Sequence, residues 1–320
     1  MAKKKTILNL QKMKFEGPQV TWITAYDYPT AVAAERAEVD LILVGDSGGM
    51  CLLGYENTHP VTMDEMITMT KAVRRGAPNT FIIGDMPQGS YEVCAEDAVR
   101  NAMRFVKECG VDAVKLEGCH EKVVRALTKA GINVVGHLGL TPQSSETFGG
   151  YRVQGKTVVS FCSIMEDAYD LERAGICFLL LEGMPTYSAG KVKDLLNIPV
   201  YGVGAGAKQD GQLLIISDIL GNYPNFKPRF AHNFVNDVLT SDFVESGETG
   251  FLTIAEEAIK LFMSEVKSGA FPYPDNIYPL GKDQVEFEKE IVRQWKLLHF
   301  RGKSRMARVF PDLVAGGKID

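Results

Sequence analysis

Phe178-Leu179-Leu180-Leu181-Glu182-Gly183 is the stretch on which the fold turns. Four successive apolar residues without alternation fit a strand covered on both faces, the situation of a parallel sheet rather than a half-wet antiparallel one. An amphipathic stretch, residues 159–174, precedes it and stops at Gly175, and glycine just past a helix end relieves the left-handed conformation found there. The run itself ends in a carboxylate and a glycine.

Working outward, the same order recurs. Apolar runs stand at residues 20–25, 41–44, 81–84, 113–116, 134–138, 178–181, 200–203 and 213–216. Helix-like segments lie between them at 29–38, 62–75, 95–108, 122–130 and 159–174, with another at 254–267. Thr62-Met-Asp-Glu65 is a capping box, with Gly76 as the stop, and Gly110 and Gly131 close the next two helices. Strand and helix in alternation predict an α/β parallel sheet, and eight strands suggest closure into a (β/α)8 TIM-type barrel. The weak link is the seventh to the eighth run, where about ten residues leave little room for a crossover that usually needs a dozen or more. The barrel is expected over residues 1–277. Beyond the turn-rich Phe271-Pro-Tyr-Pro-Asp275, residues 278–320 read as a C-terminal extension with a helix over 283–299 and the aromatics Phe287, Trp295, Phe300 and Phe310.

Composition narrows the function. A net charge of −5 gives no general attraction for nucleic acid, and Lys3, Lys4 and Lys5 read as a short solvated tail. No apolar run approaches the ~20 residues of a bilayer span, and Asn9, Gln11, Lys12 and Lys14 interrupt any secretory h-region, so a cytoplasmic protein is expected. The six cysteines form no Cys-x-x-Cys pair and read as free thiols.

In a barrel, chemistry sits at the carboxyl ends of the strands. Those ends carry Asp27, Asp46-Ser47, Asp85, Lys115 with Glu117, His137, Glu182 and Ser217-Asp218. Closure brings Asp46, Asp85 and Glu117 together as a carboxylate cluster that repels itself unless a cation sits within it, and oxygen donors alone suit Mg2+. Each carboxylate also reads as a cap for the helix after its strand. Lys115 and Glu117, two apart in a strand, face one way, either as a plain ion pair or with Lys115 holding a substrate carboxylate or oxyanion. His137 is a site candidate in this company, and Glu182, at the end of so apolar a run, suits acid–base work if burial raises its pKa. Gly202-x-Gly204-x-Gly206 lacks the spacing of a dinucleotide fingerprint but would let backbone approach a substrate.

Several strings then become recognisable: Ile23-Thr-Ala-Tyr-Asp-Tyr28, Val44-Gly-Asp-Ser47, Pro60-Val-Thr62, Ala72-Val-Arg-Arg-Gly-Ala-Pro78, Val114-Lys-Leu-Glu-Gly118, Gly136-His-Leu-Gly-Leu-Thr-Pro-Gln143, Phe148-Gly-Gly-Tyr-Arg-Val-Gln-Gly155 and Gly202-Val-Gly-Ala-Gly206. In this order the chain resembles the ketopantoate hydroxymethyltransferase family from about residue 7 to about residue 274. The resemblance implies a barrel of the phosphoenolpyruvate mutase/isocitrate lyase type, Mg2+, and 5,10-methylenetetrahydrofolate as one-carbon donor to 3-methyl-2-oxobutanoate. It puts metal residues on Asp46, Asp85 and Glu117, the last through water, oxo-acid contacts on Asp46, Ser47, Asp85 and Lys115, and the proton acceptor on Glu182; the chemistry of the strand ends adds His137 as a helper in proton transfer. It also implies a homo-oligomer, often a decamer. The sequence departs from the pattern at Gly48, where leucine is usual, at Tyr201, at Ser217 and at Gly183. Tyr201 and the eighth strand are expected near the oxo acid's side chain, which leaves the identity of that acid open. A folate-independent aldol-type lyase on another 2-oxo acid, and a catalytically silent barrel, are the alternatives.

Overall fold

Strands β1 (Val20–Thr24), β2 (Leu41–Val44), β3 (Phe81–Asp85), β4 (Ala113–Glu117), β5 (Val134–Gly139), β6 (Phe178–Glu182), β7 (Val200–Val203) and β8 (Gly211–Leu214) pair in parallel in chain order, and β8 returns to β1 to close the barrel. The computed structural model describes residues 4–240, 250–281, 283–295, 305 and 308–310. Helices wrap the strands in the expected alternation. They are α1 (Ile7–Glu16), α2 (Tyr28–Arg36), the short α3 (Gly48–Cys51), α4 (Met63–Gly76), α5 (Ala95–Arg104), α6 (Glu121–Lys129), the short α7 (Ser145–Phe148), α8 (Val158–Ala174), α9 (Thr186–Leu195), the short α10 (Ile216–Leu220), α11 (Phe234–Leu239), α12 (Phe251–Ser268) and α13 (Gln284–Trp295). A π-helical turn, Phe105–Cys109, extends α5. No helix among the described residues is long and apolar enough to cross a membrane.

Local chemistry explains the boundaries. Thr62 and Glu65 form the reciprocal capping box at the start of α4. Gly110, Gly131 and Gly175 take positive φ of 65°, 80° and 107° at their helix ends. Gly76 is different: it is the last residue of α4, and a Cβ there would stand 2.7 Å from both Ala31 Cβ and the Tyr28 carbonyl, so α2 and α4 meet through its missing side chain.

Two sequence expectations need correction at the seam. The eighth strand is 211–214 rather than 213–216, because Gly211 pairs with Val20 and Tyr201, and Ile216 already starts α10. Between β7 and β8 the described chain has no helix; residues 204–210 return directly. Tyr201 also does not line the pocket at the strand ends. It lies fully buried among Trp22 (5.7 Å, edge-on) and Phe178 (5.5 Å). A Cβ on Gly211 would stand 2.3 Å from the Val20 carbonyl oxygen and 2.9 Å from the Tyr201 ring, so β1 and the phenol share the room that glycine leaves.

The amino end of the barrel is closed by α1 and the residues before it. Lys4 pairs with Asp112, Lys5 with Asp40 and Lys14 with Asp210, at 2.6, 2.6 and 2.9 Å. These aspartates immediately precede β4, β2 and β8, so Lys4 and Lys5 are structural clamps and not a solvated tail; Lys3 lies outside the described residues. At the other end of the chain, Phe287 of α13 packs edge-on against Phe161 of α8 (5.7 Å) and Tyr187 of α9 (6.0 Å). Phe310 meets the same Phe161 ring at 6.3 Å under the Lys191 ammonium, while Phe300 and the Trp295 side chain lie outside the described residues.

Candidate active site

The carboxyl ends of the strands open into one pocket, and it collects Asp46, Ser47, Asp85, Lys115, Glu117, His137 and Glu182. Register explains the gathering. Asp85 pairs with Lys115 across β3 and β4, and Glu117 pairs with His137 across β4 and β5. Directly opposed residues bring their side chains onto one face, and two-residue alternation puts Lys115 and Glu117 on that same face. The capping alternative is not what the carboxylates do: Ser47 precedes α3 without a capping bond, and Asp85 and Glu117 bond within the pocket. Asp27 is the exception, a cap that accepts from Thr30 N at 2.8 Å and stays outside the pocket.

The ammonium of Lys115 stands 2.7 Å from Asp85 Oδ1 and 3.3 Å from Glu117 Oε1. His137 Nδ1 is 3.3 Å from the same Glu117 oxygen, and its Nε2 is 3.4 Å from Glu182 Oε2. Asp85 Oδ2 accepts the Asp46 backbone N–H at 3.1 Å. Asp85 Oδ1 is buried, and among the described residues Lys115 is its one partner. Asp46, Asp85, Lys115, Glu117 and His137 are all buried, whereas the Glu182 side chain keeps 17% exposure at the pocket side.

The charges set one another. Burial pulls the Lys115 ammonium down, but Asp85, Glu117 and Asp46 more than offset this and hold it well above the ordinary lysine value. Burial raises Glu117, and Lys115 with His137 outweighs it, leaving the carboxyl at about 2. Burial lowers His137, yet Glu117 and Glu182 draw it up to about 9 against the repulsion of Lys115. Asp46 is pushed well up by burial and then by Asp85 and Glu117, and Asp85 is raised by burial although Lys115 opposes the shift. Asp46 and Asp85 thus bear the electrostatic strain of the cluster.

That strain is a test of whether a cation fits. Among the described residues no three His, Cys, Asp or Glu side chains form a ready metal cage. Mg2+ does not need one, since it keeps most of its water and takes one or two carboxylates. Asp46, Asp85 and Glu117 are three buried carboxylates around the single Lys115 ammonium, and Asp46, pushed up by burial, Asp85 and Glu117, together with Asp85, raised by burial, fits such a two-carboxylate site. Glu117 is engaged by Lys115, His137 and the Gln143 N–H (3.0 Å), which leaves it a role through water.

Residues that the strand-end reading passed over hold this wall. Gln143 donates its backbone N–H to Glu117 and its side-chain amide to Asp46 Oδ2 (2.9 Å) and the Met86 carbonyl (3.0 Å). Tyr91 donates to the Gln143 side-chain oxygen. The signal was present in Thr141-Pro142-Gln143, a polar residue in the turn directly after the His137 strand. Tyr151 and Phe226 stack at the mouth (6.2 Å, 21°). Gly48 lines up with Tyr26 and Met69: a Cβ there would stand 2.8 Å from each, so those side chains fill the room a leucine would need. Gly204 and Gly206 do not approach the pocket; they pass under Phe230 and Thr186. All six cysteines are free, and none but Cys51 lines the pocket.

A family model described as ketopantoate hydroxymethyltransferase matches residues 4–274. A 3-methyl-2-oxobutanoate hydroxymethyltransferase of Alkaliphilus metalliredigens is 50% identical over 291 residues, covering 90% of this chain and 98% of the relative. One from Heliobacterium modesticaldum is 45% identical over 285 residues, covering 88% and 98%. Among solved structures, a phosphoenolpyruvate phosphomutase from Streptomyces platensis subsp. rosaceus shares the fold at a TM-score of 0.51 and 14% identity, covering 92% of this chain and 98% of that one. A 2,3-dimethylmalate lyase of the PEP mutase/isocitrate lyase superfamily does so at 0.50 and 13%, covering 81% and 95%. A phosphonopyruvate hydrolase in complex with oxalate and Mg++ does so at 0.51 and 11%, covering 92% and 97%.

Proposed function

The chain belongs to the ketopantoate hydroxymethyltransferase family, and from that premise we propose that it transfers a hydroxymethyl group from 5,10-methylenetetrahydrofolate to 3-methyl-2-oxobutanoate, with Mg2+ at Asp46 and Asp85, giving 2-dehydropantoate for pantothenate synthesis. The observation that carries the reading is the buried Lys115 ammonium among Asp85, Glu117 and Asp46, an arrangement with little use in a silent barrel.

Net, the C–H bond at C3 of the oxo acid breaks and a C–C bond to the one-carbon unit forms. Both folate C–N bonds to that unit break, water supplies the hydroxyl oxygen, and the protons end on the two folate nitrogens and the hydroxyl. Mg2+ would supply Lewis-acid charge at the ketone oxygen, making the neighbouring proton removable. The chain's own residues do the rest. Lys115 stays protonated and offers fixed positive charge to the enolate oxygen, in a site too dry to screen it. Glu117, held ionised, fixes Lys115 and His137 in place. Glu182 reaches the pocket with an oxygen 3.4 Å from His137 Nε2, so a proton taken at C3 by Glu182 would have an imidazole to stabilise or relay it. Ser47, tied to the Tyr26 hydroxyl at 2.8 Å, is placed for a polar contact to the oxo acid. A cytoplasmic location and a cyclic homo-oligomer such as a decamer belong to the same reading and rest on the family resemblance.

Deuterium exchange at C3 of 3-methyl-2-oxobutanoate in D2O, followed by NMR with Mg2+ and with EDTA, tests it. Metal-dependent exchange, then product only when methylenetetrahydrofolate is added, is the expected result. Product without any folate would favour the aldol-type lyase, and no exchange with tetrahydrofolate present would sink this substrate.

A further inference from the structure

One pocket carboxylate has no part in the chemistry above. Asp218 lies in the first turn of α10, directly after β8, and β8 stands half-way round the closed barrel from the β4 strand of Lys115. It lines the same pocket, and its Oδ2 is buried without a hydrogen-bond partner among the described residues. Buried carboxylate oxygens in native proteins are nearly always accepting, and none of the described residues supplies this one with a donor. Cys51 and Tyr26 lie within its electrostatic reach, the same pocket is lined by the apolar Leu213, Ile215 and Phe230, and the stacked pair Tyr151 and Phe226 stands at the opening. A 2-oxo acid does not answer this site: its carboxylate would meet a like charge here, with Glu182 adding to the repulsion and the exposed Lys227 opposing it. The missing ligand is flat, largely apolar, and brings N–H donors.

We propose that Asp218 binds the second substrate, taking the N–H edge of a reduced pterin, while the wall of Asp46, Asp85 and Lys115 takes the oxo acid. The inference rests on the reading in which a folate is the donor. A tetrahydropterin carries a ring N–H beside a 2-amino group, two parallel donors that match the two oxygens of one carboxylate. Its ring faces then lie on the apolar wall of β8 and Phe230. The one-carbon donor thereby enters from the β8 side and the oxo acid from the side of β2 to β4, which sets the two reacting carbons facing each other across the pocket.

The test is calorimetric titration of the full-length protein with Mg2+, using tetrahydrofolate in one series and 3-methyl-2-oxobutanoate in the other, for wild type and Asp218→Asn. The amide replaces an acceptor by a donor at nearly unchanged shape. Tetrahydrofolate affinity should fall at least tenfold and oxo-acid affinity less than threefold. A tetrahydrofolate analogue lacking the 2-amino group should show the same loss on the wild-type protein and no further loss on the variant. This analogue arm needs no variant and decides the matter if Asp218→Asn fails to fold. Equal tetrahydrofolate binding by variant and wild type overturns the proposal, and so does an equal weakening of both ligands. Wild-type protein that binds the oxo acid but no tetrahydrofolate defeats the folate reading itself instead.

Discussion

Lys115 and Asp85 are register partners across β3 and β4, and their charged groups meet at 2.7 Å with both side chains 3% exposed or less. The pair is therefore fixed by strand pairing rather than by two flexible side chains finding each other. It leaves one ammonium to serve Asp85, Glu117 and, through space, Asp46. Removing the ammonium leaves uncompensated buried charge, which typically costs about 3–5 kcal/mol. Lys115→Met should accordingly lower stability by that order in EDTA. If Asp46 and Asp85 take Mg2+, part of the loss should return on adding the ion, because a second cation then neutralises the cluster. Thermal melts of wild type and variant, each in EDTA and in Mg2+, give the comparison; a variant whose deficit is blind to Mg2+ would argue against the metal assignment.

Asp85→Asn probes the same site from the other partner. It keeps volume and the bond to the Asp46 N–H but removes one of the two carboxylates that repel each other. Metal-dependent C3 exchange should drop by at least a hundredfold while the melting temperature without metal holds or rises. Turnover unchanged in this variant would remove Asp85 from the chemistry.

At the opposite end of the barrel, Lys14 and Asp210 form a pair with side chains 8% and 4% exposed, and Asp210 also accepts from Val200 N at 2.9 Å. Lys14→Ala should cost roughly 1.5–3 kcal/mol, since the buried Asp210 carboxylate loses its nearer cation and keeps only Lys193, 3.4 Å from Oδ1. Lys12→Ala, whose partner Glu16 is as open as itself, should change stability by no more than about 0.5 kcal/mol. Denaturant titration of the two variants separates them; equal effects would mean α1 is not a clamp.

The barrel was legible because a parallel sheet buried on both faces writes itself as uninterrupted apolar runs, and Leu179–Leu181 or Leu41–Val44 admit little else. The cluster was legible for the same reason: closure sends every strand end to one place, so Asp46, Asp85, Lys115, Glu117, His137 and Glu182 had to meet. What escaped was everything set by tertiary room rather than by period. The start of β8 at Gly211 carries no apolar signal, and its reason is the close approach of Val20 on β1, whose carbonyl oxygen would stand 2.3 Å from a Cβ there, with the Tyr201 ring filling the room beside it. Gly48, in sequence only a departure from the family pattern, is a packing consequence of Tyr26 and Met69. Gln143 escaped because its work is done by a backbone N–H and an amide from a turn, which no spacing rule reports.

Tyr201 makes the effect of tertiary room measurable. Its hydroxyl is fully buried without a partner among the described residues, so the phenol contributes desolvation cost and no bond there. Tyr201→Phe should stabilise the protein by about 1 kcal/mol, a rise on the order of 1–3 °C in Tm. The Michaelis constant for the oxo acid should stay within twofold, because the ring is absent from the pocket wall. A large change in that constant with no change in Tm would return Tyr201 to the site.

Asp218 carries a pH dependence whose sign follows from burial. Burial, with Glu182 adding and Lys227 opposing, raises its carboxyl from the ordinary 3.8 to about 7. Between these values the folded chain keeps a proton that the unfolded chain has released, so the unfolded state binds fewer protons and stability falls as pH rises from about 4 to about 7. Above that window the folded protein holds a buried charge. The penalty then stays constant, at no more than about 1.4 kcal/mol for each tenfold gain in proton affinity. Asp218→Asn cannot ionise and lacks this loss. The Tm difference between variant and wild type, both without ligands, should therefore be small near pH 4.5, grow in the variant's favour up to about pH 7.5, and level off. The same charge that destabilises the empty protein is what an N–H ligand would neutralise, so saturating tetrahydrofolate should shrink the difference at pH 8. A gap independent of pH would show that Asp218 is ionised throughout and paired in a way the pocket geometry does not record.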